Sequence, residues 1–167
     1  LGEAFTHDIR KVGVDFVPIP AKSGKPTACC AVCVTPEGER TMNTFIGASA
    51  EFTPSDINET MLEQTEYVYI EGYLWDTEPA KSAIIHAISL AKSHQVKIAF
   101  SLSDTFCVDR HRQQFIELIQ KYVDIVFANE DEITSLYLTA TAEEAAMQLA
   151  DHTTYFAITR GAHPALI

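Results

Sequence analysis

The 167-residue chain carries 23 acidic side chains against 12 Lys and Arg, a formal net charge of −11, with 47% hydrophobic and 21% charged residues. That is the make-up of a soluble globular domain with room for one real core. So acidic a chain repels the phosphate backbone and anionic lipid, which argues against nucleic-acid and membrane partners, and its longest apolar run, residues 28–34, is far too short to span a bilayer.

Residues 1–12 predict a helix with Leu1, Ala4, Phe5, Ile9 and Val12 on one face and Gly13 at the C′ position. It opens at residue 1 without a cap, as a chain cut inside an element would. Val14-Asp15-Phe16-Val17-Pro18-Ile19 reads as extended. Residues 28–34 and 40–46 flank Thr35-Pro36-Glu37-Gly38, a type I turn with a bulge, and so predict a β-hairpin. No helix separates these strands, so they form a small antiparallel sheet apart from any βαβ core. Such an appendage is a lid, a subunit-contact surface or a plain surface hairpin.

Three cysteines fall in this hairpin. Cys29 and Cys33 share one strand face and Cys30 takes the other. No second Cys or His pair stands at metal spacing, so the thiols are expected to be buried and reduced, as in a cytosolic protein. No basic-then-apolar leader opens the sequence, which points to the same cytoplasmic setting.

From residue 53 strand and helix patterns alternate. Thr53-Pro54-Ser55-Asp56 predicts a helix start with proline at N1. Residues 67–70 form a strand that exits at Glu71-Gly72-Tyr73. Ala80, Ala83, Ile84, Ala87, Ile88 and Ala91 mark the apolar stripe of a helix. Residues 96–100 form a second strand, exiting at Ser101-Leu102-Ser103-Asp104. Asp109 is the expected cap of a helix bearing Phe115, Leu118, Ile119 and Tyr122. Residues 125–128 are a third strand, Thr141 and Glu144 box the start of another helix, and residues 155–158 are a fourth strand exiting at Thr159-Arg160-Gly161. Residues 164–167 begin a further apolar segment. Four βα units imply a parallel sheet with right-handed crossovers, which lines the strand exits along one edge.

The third exit, Asn129-Glu130-Asp131-Glu132, has two readings. One is helix capping, with Asn129 at the N-cap and acids in the first turn. The other is a ligand site at a strand end, where carboxylates suit a hydrated Mg²⁺. No Gly-x-Gly-x-x-Gly, Walker loop or Gly-x-Ser-x-Gly elbow occurs, and the six histidines show no ligand spacing.

Taken in order, several pieces resemble the ribokinase (PfkB) family of carbohydrate and nucleoside kinases, especially its adenosine-kinase-like members. They are Gly13-Val14-Asp15, Thr27-Ala28, Pro36-Glu37-Gly38-Glu39-Arg40-Thr41, Gly47-Ala48-Ser49, Asn129-Glu130-Asp131-Glu132 as Asn-x-x-Glu, and Thr159-Arg160-Gly161 as Thr-x-Gly. The resemblance implies a ribokinase-like α/β fold, a three-layer parallel-sheet core (residues 1–13 and 48–167) with a small antiparallel β-lid (residues 14–47). It implies ATP and Mg²⁺ as cofactors and a small-molecule sugar or nucleoside as phosphoryl acceptor. Asn129 and Glu132 would hold the Mg²⁺–water–phosphate network, with Glu132 reaching the metal through water. Thr159, Arg160 and Gly161 would face the nucleotide phosphates. Ala28, Thr41 and Asn43 on the lid, and Ser103 and Asp104 at their strand exit, would contact substrate or phosphate. The family's opening paired-glycine motif and its Gly-Ala-Gly-Asp catalytic-base motif are missing from these residues, and family members run to roughly twice this length. The expectation is therefore an inactive piece of a longer kinase. The alternative is a non-catalytic binding module whose lid sheet forms a homodimer.

Overall fold

A computed structural model describes residues 2–17 and 24–167; Leu1 and the Pro18-Ile19 end of the extended stretch lie outside them. The chain divides into two compact units, Leu1–Phe52 and Thr53–Ile167.

In the first unit, helix α1 (Gly2–Lys11) ends in a Schellman turn. Gly13, at φ +88°, donates its N–H to the Arg10 carbonyl (3.0 Å), and Val14 donates to Ile9 (3.3 Å), so orphan carbonyls of the last turn are met. Phe16 returns to pack edge-on against Phe5. Strands β1 (Cys29–Val34) and β2 (Arg40–Phe45) pair antiparallel, Ala31 opposite Asn43 and Cys33 opposite Thr41. The turn is as expected: Gly38 donates to the Thr35 carbonyl, Thr35 N–H to the Glu39 carbonyl, and Gly38 holds the left-handed bulge position. Beyond β2, Gly47 opens a 3-10 turn where a Cβ would come within 2.3 Å of the Pro26 carbonyl oxygen, so only glycine allows the chain this approach.

The thiols correct the sequence reading. Cys29, Cys30 and Cys33 occupy the two faces as expected but are exposed, because every residue of β1 and β2 is exposed; Cys107, on a core helix, is the buried one.

In the second unit, Thr53–Asp56 makes only one 3-10 turn. The Asp56 carboxylate is spent on the Thr53 N–H and hydroxyl, and helix α2 (Glu59–Glu63) starts afresh with Asn58 as N-cap. A five-stranded sheet follows in the order β3 (Tyr67–Glu71), β4 (Lys97–Ser101), β5 (Ile125–Asn129), β6 (Tyr155–Arg160), β7 (His163–Leu166). The first four are parallel, and β7 turns back antiparallel on β6. The expected α/β architecture, a mostly parallel sheet with a separate antiparallel hairpin, is thus present.

Because spatial order follows chain order, right-handed crossovers put α3 (Glu78–Ser93), α4 (Thr105–Tyr122), α5 (Glu130–Tyr137) and α6 (Ala142–Ala150) in a row on one face. The core lies under that row: Ile70, Ile98, Phe100, Val126, Ala128 and Ile158 point from the strands to Ile84, Ile88, Phe115, Ile119, Ile133 and Leu149. The opposite face carries Tyr69, Phe127 and Tyr155, the first two in ring contact.

Helix α4 begins a turn earlier than expected. Asp104, not Asp109, is its cap, accepting the Cys107 N–H at 2.6 Å, while Asp109 lies within the helix and accepts from the Ser135 hydroxyl of α5 at 2.7 Å. Thr141 caps α6 through the Glu144 N–H, and the Glu144 carboxylate reaches back one residue further, to Ala140 N–H.

Candidate functional site at the strand ends

Asn129 is both the last residue of β5 and the N-cap of α5. Its Oδ1 accepts the Glu132 N–H (2.8 Å), its N–H donates to Glu132 Oε2 (2.9 Å) and its Nδ2 to Glu132 Oε1 (2.7 Å). This is a capping box with a third bond added, so the capping reading holds in full. It does not displace the other reading, since the same contacts fix Glu132 at the strand end. Glu132 is only 6% exposed, and it is the one buried charged residue among those described. Burial raises its carboxyl above the usual range; the Asn129 N–H opposes this, and the negative charges of Asp104, Glu71 and Asp131 add to the rise. A buried carboxylate facing three others is short of positive charge. With both oxygens already bonded to Asn129, it would meet a cation through water, and a hard hydrated ion such as Mg²⁺ fits that donor set.

Thr159 stands directly opposite Asn129 in the β5–β6 register. Gly161, at φ +56° with open space where a Cβ would be, turns the chain from β6 into β7. Asn129, Glu132, Thr159 and Gly161 therefore share one end of the sheet. Arg160 is directed elsewhere: its Nη1 donates to Glu143 of α6 (2.9 Å) and its Nε lies 3.9 Å from Glu130.

Ser103 and Asp104 join the same end. Ser103 takes φ +72° and donates its hydroxyl to Glu71 Oε2 (2.8 Å), and Tyr69 donates to Glu71 Oε1 (2.7 Å). The Tyr73 N–H donates to Ser103 Oγ, and burial together with Asp104 raises the Tyr73 phenol to about 12. Sequence reasoning placed Glu71 at a strand exit without assigning it a role; its partners are 2 and 32 residues away, a pairing only the sheet creates. Gly72 makes the junction possible, since a Cβ there would lie 2.9 Å from the Leu102 carbonyl oxygen. Ala28, Thr41 and Asn43 lie in the first unit, exposed, with Thr41 and Asn43 on the hairpin face that carries Ala31 and Cys33. A separate cleft of about 570 Å³ between α3 and α4, with Trp75, Ile88 and Leu118 in its lining, shares none of these residues.

Histidine spacing read by itself did not register one grouping. Cys107 and His111, one turn apart on α4, come together with Asp76. The i, i+4 spacing was legible; the Asp was not, because it lies on another element.

Residues 1–167 match the family described as pfkB family carbohydrate kinase. The chain is similar to the crystal structure of adenosine kinase from Sinorhizobium meliloti (43% identity, TM-score 0.93, 98% of this chain and 50% of that one). It is similar to the same degree to a probable sugar kinase protein from Rhizobium etli CFN 42 (42% identity, TM-score 0.93, 98% and 50%). Adenosine kinase from Dictyostelium discoideum is 30% identical over 118 residues, 68% of this chain and 34% of that protein. The chain thus spans about a third of this curated relative and half of the two solved structures.

Proposed function

Because this chain belongs to the pfkB family of carbohydrate kinases, we propose that it forms the magnesium- and phosphate-facing part of an ATP-dependent phosphotransferase. The enzyme moves the γ-phosphoryl group to a hydroxymethyl group of a sugar or nucleoside, with adenosine as the first acceptor to test. The observation that carries the reading is the pairing of Asn129 with Thr159 at one sheet end, next to a buried Glu132 that Asn129 holds by three hydrogen bonds.

In this reading Asn129 and Glu132 orient the water shell of Mg²⁺, which when bound neutralises charge on the phosphates. Thr159 and the Gly161 backbone face the nucleotide phosphates, and Arg160 reaches them only by releasing Glu143. Ser103 and Asp104 border the acceptor or phosphate, with Ser103 fixed by Glu71. Residues 14–47 act as the lid over the core of residues 1–13 and 48–167, bringing Ala28, Thr41 and Asn43 to the substrate and excluding the water that would otherwise hydrolyse ATP. The setting is cytoplasmic. In this reading the segment, which holds no Gly-Ala-Gly-Asp, is inactive by itself.

The test is phosphorylation of adenosine and ribose by Mg·ATP in a longer protein that contains this segment, with Glu132→Gln as the variant. A raised Mg²⁺ requirement is expected; an unchanged Mg²⁺ response removes Glu132 from the role.

A second reading rests on the hairpin, where Val32, Val34, Met42 and Phe45 are all exposed, Val34 and Met42 at 63%. In that reading the lid sheet is a dimer contact and the module is not catalytic. Light scattering with and without residues 14–47 separates the two, since a monomer in both cases removes the dimer.

A further inference from the structure

The start of α4 and the 3-10 turn after β3 bring together three metal-ligating side chains that the kinase reading does not use. Cys107 and His111 lie one helical turn apart on α4 and face Asp76, the last residue of the Gly72–Asp76 turn. A sulfur, a ring nitrogen and a carboxylate oxygen from the three lie within 4.8 Å of one another, the one such trio among the described residues. We propose that Asp76, Cys107 and His111 form a binding site for a borderline-soft divalent transition ion of the Zn²⁺ class, with a fourth position left to water.

The ligand chemistry selects the ion. One thiolate, one imidazole and one carboxylate are a zinc donor set with an open position, whereas Mg²⁺ avoids sulfur. Two of the ligands sit on one rigid helix, and the third follows a glycine-locked strand exit, so little ordering remains to be done on binding. His111 Nε2 is already 2.7 Å from Asp76 Oδ1. Cys107 is fully buried and is a free thiol, so it brings one S–H proton to the site. Binding exchanges that proton for the ion: the S–H bond breaks, the sulfur keeps the electron pair and gives it to the metal, and one H⁺ leaves to solvent per ion bound. No oxidation is involved.

Arg110 is a competitor within the site. Its Nε and Nη2 hold the two Asp76 oxygens at 3.1 and 2.7 Å. Its side chain is half exposed, so it can swing into solvent when an ion takes the carboxylate. The charged and titratable groups around the thiol are Tyr73, Asp76, Asp104, Arg110 and His111.

The test uses Co²⁺ as probe, in a Cys29→Ser, Cys30→Ser, Cys33→Ser background that removes the exposed hairpin thiols. Tetrahedral visible bands with a thiolate-to-cobalt charge-transfer band, reversed by equimolar Zn²⁺ and accompanied by release of one proton, are expected. His111→Ala should weaken binding at least about tenfold. Arg110→Gln should tighten it, whereas a plain ion-pair cluster would give no metal effect. Cys107→Ser should lose the charge-transfer band with its circular dichroism unchanged; if that variant does not fold, His111→Ala and Arg110→Gln decide. Absence of the band in the triple-serine background, or a titration that neither of those two variants alters, overturns the site.

Discussion

Glu132 is a buried carboxyl with no cationic partner among the described residues. The sign of its effect follows from the raised carboxyl. A group that holds its proton more tightly folded than unfolded favours folding at low pH, and that contribution is lost as pH rises through the folded value. Glu132→Gln should therefore flatten the pH dependence of the urea midpoint above the usual carboxylate range, and wild type should lose stability relative to it as pH approaches neutrality. Mg²⁺ should restore part of the loss in wild type only. Gly72 is the second decisive residue. Gly72→Ala pushes a Cβ against the Leu102 carbonyl, and a destabilisation of about 1–3 kcal/mol by denaturant titration is expected. At this scale, local spacing was readable: Asn129 and Glu132 stand three positions apart in one four-residue stretch. Glu71 with Ser103, and Asp76 with Cys107, join different strands or turns, and no local pattern encodes them.

Helices α3 to α6 declare their buried stripes in sequence, and α3 keeps Ala80, Ala83, Ile84, Ile88 and Ala91 buried as the spacing requires, whereas the apolar face predicted for residues 1–12 holds no buried residue in α1. What sequence misplaced was the start of α4, because Asp109, the expected cap, and Asp104, the actual one, both precede apolar residues on its stripe. The strand decides: the Leu102 N–H is taken by Phe127 of β5, and the chain turns at Ser103, so Asp104 is the first side chain free to cap. Asp104→Ala should cost ~1 kcal/mol and fray the first turn of α4, read as loss of amide protection at Cys107. The Asp109→Ala change removes no cap. The hairpin shows the opposite limit. Its register and turn were legible, while the burial of its thiols was not, since alternation assigns faces without saying whether anything covers them.

The two units differ in how much they bury. Neither α1 nor the β1–β2 hairpin has a buried residue, whereas β3 to β6 are clamped under four helices. Hydrogen exchange should accordingly show β1 and β2 amides exchanging orders of magnitude faster than Ile98, Phe100 and Val126, with only the latter set following global unfolding. Chain-ordered strands were readable as four βα units. The reversal of β7 was not, because residues 164–167 read only as apolar and their direction depends on the two-residue turn at Gly161-Ala162.

A sheet whose connections all pass over one side leaves its back to whatever the surroundings supply. Here that back offers aromatic rings, Tyr69 at 55% and Tyr155 at 57% exposure with Phe127 between their strands. On an otherwise strongly anionic particle they form an adhesive stripe, and adhesion should set the colloidal behaviour. The folded 167-residue chain should light up an apolar fluorescent dye and should cluster as ionic strength screens its self-repulsion. Phe127→Lys should quench the dye signal and hold the particles apart in salt, with the thermal midpoint little changed.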